Sequence, residues 1–130
     1  MTAVTTTDIV IEEQNGDIAA CLALLDALEH SASRPKAVLA GWRLIRRLSR
    51  VMRDVRHIAR TVPVEEIRRL HSERRSLYER YARIEGKLDP CSAWLLKKPF
   101  VHLKGICEDL ALAADPEARE LVGKIAAAVA

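Results

Sequence analysis

The stretch that decides the fold, residues 36–61, reads KAVLAGWRLIRRLSRVMRDVRHIART. Apolar residues recur in it at alternating spacings of three and four, which is the a and d pattern of a heptad repeat. These positions are Ile45, Leu48, Met52, Val55, Ala59 and, just beyond the stretch, Val62. Leu44, Val51 and Ile58 each precede an a position and widen the apolar stripe. Such a wide stripe is typical of a helix in a bundle rather than in a two-stranded coiled coil.

The polar side of this predicted helix is rich in arginine. Most of its arginines occupy b, c and f positions, on the face opposite the apolar stripe, and Arg56 flanks the stripe at an e position. Arginine favours bidentate contacts with phosphate or carboxylate groups. The candidate binding residues are therefore Arg43, Arg46, Arg47, Arg50, Arg53 and Arg60.

Charge is segregated along the chain, which has a net charge of +3. Residues 1–33 contain six acids and no Lys or Arg, whereas residues 34–60 carry nine bases against the single acid Asp54. A basic helix of this density suits the phosphates of a nucleic acid or an acidic protein surface. A further interpretation is that the arginines form a solvated face, whose charges pair with the acidic first helix or with another subunit.

The rest of the chain also predicts helices. Residues 1–14 are expected to form a flexible N-terminal tail, and residues 15–130 a single domain. Apolar periodicity predicts helices at about 17–30, 64–87 and 91–114. Asp115-Pro116 opens a last helix, with aspartate as the N-cap and proline at the first position. The expected fold class is all-α, a bundle of four to five antiparallel helices.

The second and third predicted helices meet at Pro63, and we expect them to form the central antiparallel hairpin. Their nearly continuous heptads also predict a homodimer, because a wide apolar face can serve both a core and an interface. Arg74 occupies an a position of the third helix. A basic group there must pair, extend its charge to the surface or lie where the bundle opens.

The sequence gives no sign of a metal or cofactor site, and we expect neither. Cys21, Cys91 and Cys107 are an odd number of widely spaced cysteines, which argues against a disulfide framework and against zinc. Neither a Glu-x-x-His pair nor a His-Glu-x-x-His motif occurs. No apolar run reaches the length of a bilayer span, and the N-terminus lacks a signal-peptide pattern. The expected location is the cytoplasm, without membrane partners.

Arg50 and His57, separated by six residues, resemble the Arg-x(4–6)-His motif of HEPN ribonucleases. That family consists of all-helical, often dimeric domains in which the Arg and the His face a shared RNA cleft. The resemblance implies acid–base work by His57 on a ribose 2′-OH, with Arg50 holding the phosphate. Val51 stands where the family tends to place a polar residue.

The segment His102-Leu103-Lys104-Gly105 is similar to the His-x-x-Lys-Gly motif of histidine phosphotransfer domains. Those are four-helix bundles of this length, and the resemblance implies a phosphoryl-accepting His102. The family places its Lys one helical turn after the His. Lys104 follows His102 by two residues and therefore points to a different face.

The function that the residues favour is a non-enzymatic binding or assembly protein, whose arginine-rich helix contacts an acidic partner. Nucleic acid is slightly favoured over an acidic protein surface. An adaptor for acidic proteins or a structural dimer is the alternative, and the two resemblances are further ones. The few aromatic residues weaken a stacking platform for single strands; they are Trp42, Trp94, Tyr78, Tyr81 and Phe100.

Overall fold

The computed structural model describes residues 6–30 and 34–129, and this part of the chain is helical almost throughout, without strands. The expected all-α class is therefore confirmed. The six helices are α1 (Thr6–Glu29), α2 (Arg34–Met52), α3 (Val55–Thr61), α4 (Val64–Ile84), α5 (Pro90–Ala114) and α6 (Pro116–Val129), and a 3-10 turn, Glu85–Lys87, follows α4.

The long helices α1, α2, α4 and α5 form a four-helix bundle. Around the bundle the order is α1, α2, α5, α4, so that each helix packs against two neighbours and α2 lies diagonally opposite α4. The predicted central hairpin of α2 and α4 is therefore wrong. The heptads showed that both helices carry a wide apolar face, but a face of that kind does not specify which partner covers it.

Ion pairs at one end of the bundle fix the helix directions. The guanidinium of Arg80, near the end of α4, binds the carboxylates of Asp26 and Glu29, near the end of α1. Both helices thus finish at the same end. Because α2 and α5 follow α1 and α4 through short connections, α2 and α5 start at that end and run parallel to each other.

Two apolar clusters fill the bundle. The larger one joins all four long helices, and in it the rings of Tyr81 and Phe100 stack with their centroids 3.9 Å apart. The smaller one closes the other end, where α3 packs over α5. Its fully or nearly buried members include Val55, Ile58, Ile67, Ile106 and Leu110.

The first helix begins earlier than the sequence predicts. α1 starts at Thr6, whereas the expected start was near Asp17, after the Asn15-Gly16 turn signal. Glycine inside a helix costs about 1 kcal/mol relative to alanine, a penalty that weakens a helix without ending it. Much of the predicted tail is therefore helical, and its residues 1–5 lie outside the described residues.

The predicted continuous helix over 36–61 is broken in the structure. α2 ends at Met52, and Asp54 adopts the left-handed conformation with φ 57° and ψ 10° before α3 begins. Aspartate is one of the few residues that enter this region readily. The break redirects α3, so that Val55, Ile58 and Ala59 become buried in the smaller cluster.

Because of this break, substitutions at Asp54 should change the free energy of unfolding in the opposite direction from that expected in a continuous helix. Asp54→Gly should leave stability unchanged or raise it, because glycine has no Cβ to strain at positive φ. Asp54→Ala should lower the free energy of unfolding by about 1 kcal/mol. Urea unfolding followed by circular dichroism measures both. If Ala stabilised and Gly destabilised the protein, residues 36–61 would form one helix.

Arg74 is the largest fully buried side chain of the structure. Its Nη1 donates to the Leu70 carbonyl at 3.3 Å and lies 3.5 Å from the Glu73 carboxylate, and its Nη2 reaches the Val51 carbonyl at 3.5 Å. Burial lowers the pKa of Arg74 to about 10, which the Glu73 charge offsets only in part. Arg74 is therefore charged at neutral pH inside the core and connects α4 with the end of α2.

Replacing Arg74 separates the effect of its volume from the effect of its charge. Arg74→Met keeps most of the volume and removes a desolvated charge, so the free energy of unfolding should stay constant or rise by about 1–4 kcal/mol. Arg74→Ala should lower it by about 2–5 kcal/mol, because a cavity remains. Urea unfolding distinguishes them. A loss in the Met variant as large as in the Ala variant would mean that the charge itself holds the core together.

Candidate functional site

The arginines of α2 form one exposed stripe. Arg43, Arg46, Arg47 and Arg50 follow one another at spacings that place them on the same helix face, and all four side chains are exposed. The opposite face carries Leu44, Leu48 and Val51, which are fully buried. The helix is therefore basic on one side and part of the core on the other, as its heptads predict.

The acidic first helix neutralises one edge of this stripe. Asp17, which is only 7% exposed, accepts a hydrogen bond from Arg47 Nη1 at 2.8 Å, and Arg50 Nη1 lies 3.7 Å from the same carboxylate oxygen. Arg47 and Arg50 thus face α1 and serve the bundle. The interpretation that some arginines pair with the first helix holds for these two.

Arg46 lies on the edge of the stripe away from Asp17, and Arg43 lies one helical turn before Arg47. Both are exposed, and no carboxylate of the described residues lies within ion-pair distance of either guanidinium. Arg53 is exposed just after α2, beside the break at Asp54. Arg43 and Arg46 are therefore the two candidate residues on α2 whose charge faces solvent without a carboxylate from the described chain.

Arg60 lies in a different place from the other candidates. It lines a cleft of about 400 Å³ between α3, α5 and α6, together with Arg56 and Arg119. Arg56 Nε donates to Asp109 Oδ2 at 2.5 Å, and Arg119 Nη2 donates to the Arg60 carbonyl at 3.4 Å. The break at Asp54 causes this separation, because it turns α3 away from the direction of α2.

The neighbour of the stripe on the other side is α5. A Cβ added to Gly41 of α2 would lie 3.3 Å from Leu95 Cδ2, so glycine permits a close approach of the two helices at this level. Lys98 follows Leu95 by three residues and therefore lies on the side of α5 that adjoins α2. Its side chain is exposed.

Neither α2 nor α5 carries an acid along the length over which the two helices run side by side. Residues 34–53 contain seven Lys or Arg and no Asp or Glu, and residues 90–107 contain three lysines and no Asp or Glu. We call the exposed surface of α2 and α5 on either side of the Gly41–Leu95 contact the basic face. Sequence reasoning missed the contribution of α5, although the acid-free run 90–107 could have indicated it.

The residues of the two family resemblances lie apart. Arg50 is on α2 and His57 on α3, with the break at Asp54 between them. His102 and Lys104 are both exposed on α5, about 200° apart around the helix axis. Arg50 and His57 therefore do not share a helix, and His102 and Lys104 do not share a helix face.

Two of the cysteines are poor nucleophiles. Cys21 is fully buried, and burial raises its pKa to about 12. Cys107 is half-buried, and burial raises its pKa to about 11. Because the thiolate is the reactive species, neither residue supplies it at neutral pH.

Within residues 6–30 and 34–129, no three His, Cys, Asp or Glu side chains gather as a metal site requires. Nor does any helix of the described residues combine the length and apolarity needed to cross a membrane. Comparisons with protein-family models, with curated proteins and with solved structures found no match for this chain. The case for a function therefore depends on the geometry and charge of the basic face.

The Asp17–Arg47 pair should couple more strongly than a solvated ion pair, because Asp17 is almost buried. In a double-mutant cycle of Asp17→Asn and Arg47→Gln, we expect a coupling of about 1 kcal/mol or more in the free energy of unfolding. The matched control is the exposed pair Arg75 and Glu79, whose Nε–Oε1 distance is 2.9 Å. Its coupling should stay below about 0.5 kcal/mol. Equal couplings for both pairs would contradict a structural role for Asp17.

Proposed function

We propose that this protein is a non-enzymatic binding protein whose basic face contacts the phosphates of a nucleic acid. The observation that carries the proposal is the pairing of two acid-free helices, α2 and α5, as parallel neighbours. A polyanion lying along their seam meets positive charge from both helices and no carboxylate from either. The contact residues that we assign are Arg43, Arg46 and Lys98.

Electrostatics supports a polyanion as the partner. Each Lys or Arg that neutralises a phosphate releases condensed counterions, so binding gains free energy that depends on salt. The guanidinium groups of Arg43 and Arg46 also match phosphate oxygens in a bidentate geometry. Of the acids of α1, Asp17 binds Arg47 at the edge of the stripe, and Asp26 and Glu29 bind Arg80 of α4.

The character of the surface favours nucleic acid over an acidic protein. Protein interfaces place an apolar, charge-depleted centre inside a polar rim. The basic face differs in carrying cations along both of its helices, Arg43 and Arg46 on α2 and Lys98 on α5, beside exposed apolar side chains that include Leu39 and Val101. An acidic protein remains the alternative partner, and it would be recovered as one stoichiometric species whose association survives nuclease treatment.

A homodimer and a cytoplasmic location stay predictions. The heptad faces from which the homodimer was predicted are buried inside the bundle, whereas Leu121, Ile125 and Val129 of α6 are exposed apolar residues available to a second copy. Their replacement by Ser would test that prediction by light scattering, and it leaves the basic face unchanged.

Charge removal from the basic face should weaken binding to nucleic acid. The double variant Arg43→Ala/Arg46→Ala should bind a labelled oligonucleotide more weakly, and the slope of log K against log salt should flatten by about 1.5. Fluorescence anisotropy over a salt series measures both quantities.

The matched control for this experiment is Arg68→Ala/Arg83→Ala, which removes the same charge from exposed positions of α4. That variant should retain nearly the slope of the parent protein, with only a small change from the lower net charge. Equal slopes for the two double variants, or no binding by the parent protein, would refute the proposed function.

A further inference from the structure

The chain has two tryptophans, and both are exposed. Trp42 of α2 is 59% exposed and Trp94 of α5 is 79% exposed. An indole ring carries a large apolar surface, and tryptophan is highly buried on average in folded proteins. Two indoles left in solvent by the same bundle therefore indicate a surface with a partner.

Both indoles flank the seam between α2 and α5. Trp42 immediately follows Gly41, and Trp94 immediately precedes Leu95, the two residues between which the helices approach each other. Because α2 and α5 are parallel, the two tryptophans lie at the same level of the bundle. They project from the outer sides of the two helices, onto the basic face.

Each tryptophan also has a base one helical turn further along. Arg46 follows Trp42 by four residues, and Lys98 follows Trp94 by four residues, and all four side chains are exposed. Residues four apart are neighbours on a helix surface, with their Cβ atoms about 6 Å apart. The same unit, an aromatic ring followed by a cation, is thus repeated on two parallel helices in the same direction.

We propose that Trp42 and Trp94 stack on nucleobases and that the basic face binds single-stranded nucleic acid; this inference rests on the proposed function. A single strand presents bases and phosphates side by side, which matches alternating rings and cations. In a duplex the faces of the bases are covered by their neighbours, so exposed indoles gain nothing there. Stacking also tolerates any base, because every base has a π face.

The surroundings of the indoles favour this ligand over a protein. Tryptophan and arginine are both enriched at protein–protein hot spots, where a surround of packed contacts excludes water. Here the positions one turn after each ring are occupied by Arg46 and Lys98, and no acid occurs on either helix over the basic face. The sequence alone gave these aromatics little weight because they are few. Their position beside the cations is what the fold adds.

Intrinsic fluorescence tests the inference directly, because the two proposed stacking residues are the only tryptophans. The probes are oligothymidylate, an abasic oligomer of the same length and charge, and a duplex of that length. Oligothymidylate should quench the emission and bind best. The abasic oligomer should bind by charge alone, more weakly and with little quenching, and the duplex should behave in the same way.

Variants separate stacking from folding and from charge. Trp42→Ala and Trp94→Ala should each weaken binding to oligothymidylate by about 5- to 100-fold, whereas Trp→Phe at either position should retain most of it, because phenylalanine also stacks. Leu112→Ala, which removes an exposed apolar side chain near the far end of α5, should bind normally. Circular dichroism should show unchanged helix content throughout.

The outcomes distinguish this inference from the proposed function. If the Ala variants bind like the parent protein while Arg43→Ala/Arg46→Ala binds weakly, the proposed function stands and stacking is refuted. Equal affinity for the abasic oligomer or the duplex would refute it as well. If no nucleic acid binds, both proposals fail; a blue shift of the emission with phosphatidylserine vesicles alone would then identify a lipid surface instead.

Discussion

The packing of α2 beside α5 places next to each other the two long helices that carry no acid over their shared length. Gly41 permits their close approach, because a Cβ there would lie 3.3 Å from Leu95 Cδ2. Had α2 packed between α1 and α4, carboxylates on both sides would have been within reach of its arginines. The basic face is therefore a consequence of helix order rather than of composition alone.

Arginines of this chain lie in three different environments, which differ in burial and in the presence of a carboxylate partner. Arg74 is charged within the core and holds backbone carbonyls of α2 and α4. Arg47 and Arg80 bind carboxylates of α1 and fix the positions of its neighbours. Arg43 and Arg46 are exposed on the basic face. A tally of positive charge would treat all of these alike, although Arg74 is buried and Arg47 and Arg80 already bind carboxylates of the chain.

The sequence predicted the fold class and the faces of α2, because both depend on local periodicity. It also placed α5 and the start of α6, since Asp115 caps that helix by accepting from the Glu117 N–H. It missed the break at Asp54, where the heptads continue and only tertiary packing of α3 favours the left-handed turn. The sequence also did not predict which helices pack against α2, because a contact such as Gly41–Leu95 joins residues far apart in the chain. For the same reason, the sequence did not predict that Lys98 and the two tryptophans lie together on the basic face.

The basic face exists only if α2 and α5 are neighbours, and a pair of distances measures whether they are. Spin labels at Trp42 and Trp94, in a variant whose three cysteines are replaced by Ala, report the separation of α2 and α5 by pulsed electron paramagnetic resonance. Labels at Trp42 and the exposed Ala82 report the separation of α2 and α4. Adjacent helix axes lie about 8–10 Å apart, so this account predicts that the first distance is clearly the shorter. A shorter distance between α2 and α4 would contradict it.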